Sequence, residues 1–405
     1  MKFPVNKYWL YIEPYAYLKY VERHLIVYNE LNKTIIEFQN IDDKILNNIA
    51  EQLNSDTECC CIEIDEKQRE NENVSNFITQ LRTNFSGDCI IKTNNFKPLI
   101  LKQKKEARQQ FDFSKIDDLY QIRYKLKLLP REITLHFGMK SEYDKYYPFI
   151  DNACSLSSEI DIYNYMGKIY NNIKEYSNVS TLNIICYNDT NYAEINSFIN
   201  RNHSSYNVFI HCDILQFLNK NVVFNKKHTY CLYCNTDLGK NIESVKNYDN
   251  IIFCFYVKNS EEIEKIQAIS EQLSITTKII PAYDNNINFF EKYIFTDRDD
   301  IIEQNLSVDD ILVNEILNTN FFGRIYVNKF GFITTGSNKS TYLNISEHSI
   351  NDFILKEMQF NESIWFLLRK NIEPCKNCAY CNLCPPISEY EILLNRFNLC
   401  NIYKK

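Results

Sequence analysis

Glycine is scarce, at 7 residues in a chain of 405, and none stands in a Gly-x-Gly-x-x-Gly or Walker-type run. A loop that cradles phosphate on backbone amides needs such glycines, so nucleotide hydrolysis is not expected. A Gly-x-Ser-x-Gly elbow and a His-Glu-x-x-His pair are missing too, and with them the signatures of two large hydrolase groups. Basic charge is short: Lys+Arg 45 against Asp+Glu 52 leaves a net −7. Binding to a nucleic-acid backbone needs a basic surplus, so nucleic acid is not the expected partner. Long apolar runs are absent as well. The stretch IIFCFYV at 251–257 is far shorter than the ~20 residues that span a bilayer, so no membrane partner is expected. Near the start, Lys7 and Glu13 interrupt any apolar region of signal-peptide length, and no export signal is expected.

What is present is ample core material. The chain is 45% hydrophobic and 24% charged, with 29 Tyr and 26 Phe, which fits an ordinary globular protein. At ~150 residues per domain, this length allows two or three domains, or one barrel with attachments. Cysteine is abundant, at 15 residues. An odd number without an export signal reads as reduced thiols plus a metal site, and a reducing cytoplasm is the expected setting.

Three regions follow one another. Residues 1–100 read as a small α+β unit: a hairpin from His24 to Phe38, a helix over 41–53 capped by Asn40, a strand in CCCIEID, and a helix carrying Val74, Phe77, Ile78, Leu81 and Phe85 that stops at Gly87. Residues 101–130 alternate in charge and read as a linker. From 131 to 305, six apolar runs (EITLHF, TLNIICY, YNVFIHC, HTYCLYC, IIFCFYV and TTKIIPAY) alternate with helical stretches. Six such units predict parallel strands joined by right-handed crossovers, either a partial (β/α)6 barrel or an open doubly wound sheet. Residues 306–405 hold a helix, a hairpin turning at Asn328–Gly331, a second helix and a cysteine-rich tail, and are expected to pack on the sheet edge.

The tail carries the chemistry. Cys375, Cys378, Cys381 and Cys384 are spaced two apart in series, and Cys400 lies sixteen residues beyond the last. Thiolates bunched in this way can enclose an iron-sulfur cluster or tetrahedral zinc, and four of the five suffice. Cys59, Cys60, Cys61, Cys231 and Cys234 read as strand or core residues, because side chains three apart on a strand face opposite ways. His136 and His211 fall near the carboxyl ends of predicted strands and read as core or rim histidines, with the lining of a barrel mouth as the alternative.

A barrel, hairpin and cysteine tail in this order resemble the radical SAM enzymes with a SPASM or twitch-type auxiliary-cluster domain. Those enzymes carry Cys-x3-Cys-x2-Cys after the first strand. Here GMKSEYDKYYPFIDNAC follows it, and ICYNDTNY stands where a Gly-Gly-Glu-like element is expected. The chain therefore resembles the pseudo-radical-SAM proteins encoded beside peptide-maturing radical SAM enzymes in Bacteroidales-type gene clusters whose precursors have Gly-Gly leaders. The matching stretches are YWLYIEP, FITQLRTNFSGD with FKPLIL, REITLHF and PCKNCAYCNLCPPISEYE. The resemblance implies a 4Fe-4S cluster (zinc being the alternative) on Cys375, Cys378, Cys384 and Cys400, with Cys381 as a possible substitute, and no SAM. It implies a non-catalytic partner that binds the precursor of a ribosomally synthesised peptide, its radical SAM maturase, or both. The alternative is an enzyme or electron carrier that uses the C-terminal cluster directly. The N-terminal unit is similar in element order to leader-recognition domains, which add a leader strand to a sheet edge. Thr34, Ile36 and Phe38 would then offer the edge, and Phe77 and Leu81 the apolar face beneath it.

Overall fold

The computed structural model describes residues 6–55, 60–93, 97–98, 130–136, 167–169, 171, 179–185, 207–219, 227–234, 239–246, 248–328, 330–336, 341–360 and 362–402. The chain divides into two compact units. One combines residues 1–112, 296–320 and 367–405, and the other combines residues 113–295 and 321–366. Residues 306–405, grouped as one domain by their sequence, are thus shared between the two units.

In the first unit β1 (Lys7–Ile12) is the centre of an antiparallel sheet with β5 (Cys61–Asp65) and β6 (Gly87–Ile91) at its edges. A second antiparallel sheet runs β2 (Ala16–Val21), β3 (His24–Asn29), β4 (Ile35–Phe38), so the expected hairpin is β3–β4. Helices Lys44–Asn54 and Glu72–Thr83 bring Leu46, Ile49 and Leu53, and Val74, Phe77 and Leu81, at helical spacing into one core with Leu10, Leu25 and Ile62.

Two boundaries differ from the sequence expectation. The first helix begins at Lys44, because Asp43 rather than Asn40 caps it: the Asp43 carboxylate accepts from the N–H groups of Ile45 and Leu46. The second helix ends at Thr83, and Phe85 turns the chain with a φ of 54°, before Gly87 is reached. Gly87 instead opens β6 where it presses on β1, and a Cβ there would stand 2.3 Å from the Tyr11 carbonyl oxygen.

All six expected strands of the second unit are present: β7 (Glu132–His136), β8 (Thr181–Ile185), β9 (Asn207–Asp213), β10 (Thr229–Cys234), β11 (Ile251–Val257) and β12 (Thr277–Pro281). They pair in parallel and in sequence order. A doubly wound sheet reverses its order at a switch point. Among these six the order is sequential, and the sheet reverses its order beside β7, where the later strand Arg324–Asn328 pairs in parallel on the side away from β8, so both windings remain compatible with the sheet.

Beyond β7 the sheet continues with β13 (Arg324–Asn328), parallel to β7, and then antiparallel β14 (Phe332–Thr334) and β15 (Leu343–Asn344). This is the expected packing on the sheet edge, and the turn closes with the Gly331 N–H donating to the Asn328 carbonyl at 2.9 Å. Helices Ile214–Asn219, Gly239–Val245, Ser260–Leu273 and Ile350–Gln359 match helical expectations. The helix expected over 157–176 lies outside the described residues except at 167–169 and 171, as do the one over 192–202, most of the 101–130 linker, and nearly all of the segments that follow β7 and β8. Among the described residues no helix is long and apolar enough to cross a membrane.

Candidate metal centre

The cysteine run folds as successive three-residue turns. The Cys378 N–H donates to the Cys375 carbonyl at 3.0 Å, Cys381 to Cys378 at 3.1 Å, and Leu383 to Tyr380 at 2.9 Å, with Cys384 closing a wider turn on the same Tyr380 carbonyl at 2.9 Å. Turns of this pitch bring residues three apart to the same side, which is what the Cys-x2-Cys spacing encodes. Cys400 arrives separately: a parallel bridge to Thr296, made by Thr296 N–H to Leu399 O at 2.9 Å and Asn401 N–H to Thr296 O at 3.1 Å, sets it opposite the run. All five thiols line one cavity of about 440 Å³.

The five are not equivalent. Burial pushes the Cys384 thiol well above its usual pKa; Arg369 opposes this, and Cys378, Cys375 and Cys400 add to it. Cys375 is raised by burial and held back by Arg369. Cys381 is pushed up to about 12, by burial first. Its thiol donates to Asn382 Oδ1 at 3.1 Å, and the Cys375 thiol donates to the Phe397 carbonyl at 3.2 Å. Among the described residues no three Cys, His, Asp or Glu side chains converge closely enough to hold a single ion.

Two features that the cysteine spacing does not announce border this cavity. Arg369 reaches Glu391 in a two-pronged ion pair at 2.8 and 2.9 Å, and Glu391 also closes a capping box with Ser388. The Ser388-x-x-Glu391 pattern was a visible signal; nothing in the sequence marked Arg369. Asn382, inside the cysteine run, donates to Tyr17 Oη at 2.8 Å and to Glu315 Oε1 at 2.7 Å, tying the run to β2 and to the turn after the helix Val308–Asn314. Tyr380 packs edge-on against His24 with ring centres 5.8 Å apart. His24 Nε2 donates to Glu37 at 2.9 Å, and this bond, with Gln39 and Arg298 helping, holds the Glu37 carboxyl down at about 2. Tyr17, Ile26 and Tyr28 of the N-terminal strands share one apolar cluster with Ala379, Tyr380, Leu383 and Cys384.

The residues proposed for peptide contact are placed less uniformly. Thr34, Ile36 and Phe38 lie on or beside β4, an edge strand, but Ile36 is buried and its partner across the ladder is Val27. Phe77 and Leu81 are fully enclosed in the core of the unit and present no surface.

Cys231 and Cys234 are buried in β10, and Cys60 and Cys61 are buried at the start of β5; Cys59 lies outside the described residues. His211 belongs to a polar row across the second unit's sheet. Tyr233 Oη donates to His211 Nδ1 at 3.1 Å, His211 Nε2 donates to Asn183 Oδ1 at 3.3 Å, and Asn183 Nδ2 donates to Glu132 at 2.7 Å. Arg324 pairs with the other Glu132 oxygen at 3.2 Å. Burial, with Lys278 helping, pushes His211 down to about 3, so the ring of this half-buried histidine is neutral and both its nitrogens are engaged within the sheet. His136 is buried at the end of β7.

Comparison with protein-family models, with curated proteins and with solved structures finds no match to this chain.

Proposed function

We propose that the chain is a catalytically degenerate radical-SAM-like protein that holds one 4Fe-4S cluster in its C-terminal cysteine cavity. It serves as a partner in the maturation of a ribosomally synthesised peptide, binding the Gly-Gly-leader precursor, the active radical SAM maturase, or both. The observation that carries this reading is a cavity lined by Cys375, Cys378, Cys384 and Cys400, with Cys381 beside them, in the same unit as the N-terminal strands.

A tetrahedral zinc site needs four ligands within about 2.3 Å of one point. Four of the thiols that line a cavity of about 440 Å³ would suffice for a cluster with several iron positions. When bound, such a cluster supplies one-electron chemistry and a structural cross-link. The protein's own residues would enclose it: Cys375, Cys378 and Cys384 from the cysteine run and Cys400 from the segment bridged to Thr296 would hold the cluster, while Cys381, which lines the same cavity, is hydrogen-bonded to Asn382. On this reading the sequential run β7 to β12 is a partial (β/α)6 barrel, and the tail corresponds to a SPASM or twitch-like domain. Without a three-cysteine motif after β7 there is no second cluster on which SAM could be chelated, so the chain has no radical catalysis of its own.

Anaerobic incubation of the iron-loaded protein with SAM and dithionite is expected to give no 5′-deoxyadenosine above a no-protein blank, while the full chain retains precursor and maturase in pull-down. Product above the blank contradicts the degenerate reading, and retention of neither partner contradicts the accessory role.

A further inference from the structure

We propose that Arg369 sets the reduction potential of the cluster by acting on Cys375, an assignment that rests on the cluster reading above. The guanidinium is almost wholly buried, with its side chain 11% exposed and that of Glu391 2%. Nε donates to the Pro385 carbonyl at 2.5 Å, Nη2 to Glu391 at 2.9 Å, and Nη1 to Glu391 at 2.8 Å and to the Phe397 carbonyl at 3.1 Å. These acceptors fix the plane of the group. Held in this way, Nη1 also faces Cys375 Sγ at 3.8 Å on the cavity wall.

A buried ion pair contributes little net stability, because desolvation offsets its attraction. A fixed cation beside a cluster ligand has a definite effect on redox poise, however. In the one-electron reduction, an external low-potential donor gives up one electron and the cluster becomes one unit more negative. Positive charge and N–H donation at a ligand sulfur favour that state and raise the potential. Glu391 moderates this effect by neutralising part of the charge. Arg369 is therefore a positioning and tuning residue, and the two members of the pair pull the potential in opposite directions.

The test is a dye-mediated redox titration, followed by electron paramagnetic resonance, of the iron-loaded wild type, Glu391→Gln and the double variant Arg369→Gln/Glu391→Gln, with iron content measured on each. The expected result is full iron loading in all three, an upward shift of midpoint potential for Glu391→Gln and a downward shift for the double variant. Equal potentials at equal loading overturn the assignment and leave the cluster reading intact. Loss of iron from both variants also overturns it, since the pair then serves only to hold the fold. A wild type that takes up no iron removes the cluster reading and this assignment with it.

Discussion

Replacing Cys375, Cys378, Cys384 or Cys400 with alanine is expected to strip the metal and, with it, to loosen the N-terminal strands β2 and β3. The site contains little regular structure beyond three-residue turns, so ligand binding energy there is folding energy. The cysteine run in turn supplies one side of the cluster that buries Tyr17, Ile26 and Tyr28, and Asn382 reaches Tyr17 across 365 residues of sequence. Burying each such side chain is worth about 1.5–3 kcal/mol. Three together approach the 5–15 kcal/mol that holds a typical domain. Amide hydrogen exchange at Leu25–Tyr28 is the direct check: protection should fall by orders of magnitude in the Cys378→Ala protein and persist in Cys381→Ala. Unchanged protection after metal loss would show that the strands stand without the tail.

A second large effect is expected at Phe77. Its ring is fully buried, and Phe→Ala at such a site costs about 3–5 kcal/mol. The domain should therefore lose stability as a whole, with peptide binding lost only as a consequence. The strand edge itself is probed elsewhere. The Asn29 N–H donates to the Thr34 carbonyl at 3.0 Å, and ladder alternation makes Val27 and Ile36 the next pair to exchange hydrogen bonds. Ile36→Pro then breaks the β3–β4 ladder, whereas the Ile35 N–H points away from β3. Ile35→Pro should keep the thermal midpoint close to wild type while weakening capture of a leader that docks on this edge. Unchanged leader affinity in Ile35→Pro rules out the edge, and a Phe77→Ala protein of wild-type stability would contradict its place in the core.

Much of the architecture was legible because periodicity reports burial. β10 and β11 are runs such as IIFCFYV, nearly continuous in apolar residues because most of their side chains are buried, and the β13–β14 hairpin announced itself by its Asn and Gly turn. Strand order was not legible: six alternating units fit either winding, and nothing local foretells that β13 pairs in parallel with β7 on the side away from β8. The unit boundaries were also hidden. Nothing local in residues 296–320 or 367–405 tells that they fold onto the first hundred residues, because contacts such as Asn382 to Tyr17 and Tyr28 to the Leu306 carbonyl are long-range. The cysteine spacing did foretell a shared wall. It could not foretell Arg369, a single arginine whose importance comes from Glu391 and Cys375 meeting it in space.

The most direct test of the metal centre is a count of iron and acid-labile sulfide per chain after anaerobic reconstitution, made on the wild type, on Cys381→Ala and on Cys384→Ala. A cluster on Cys375, Cys378, Cys384 and Cys400 predicts about four irons and four sulfides in the first two proteins and a large loss in the third. One zinc without sulfide in the wild type, or a loss in Cys381→Ala equal to that in Cys384→Ala, would contradict it.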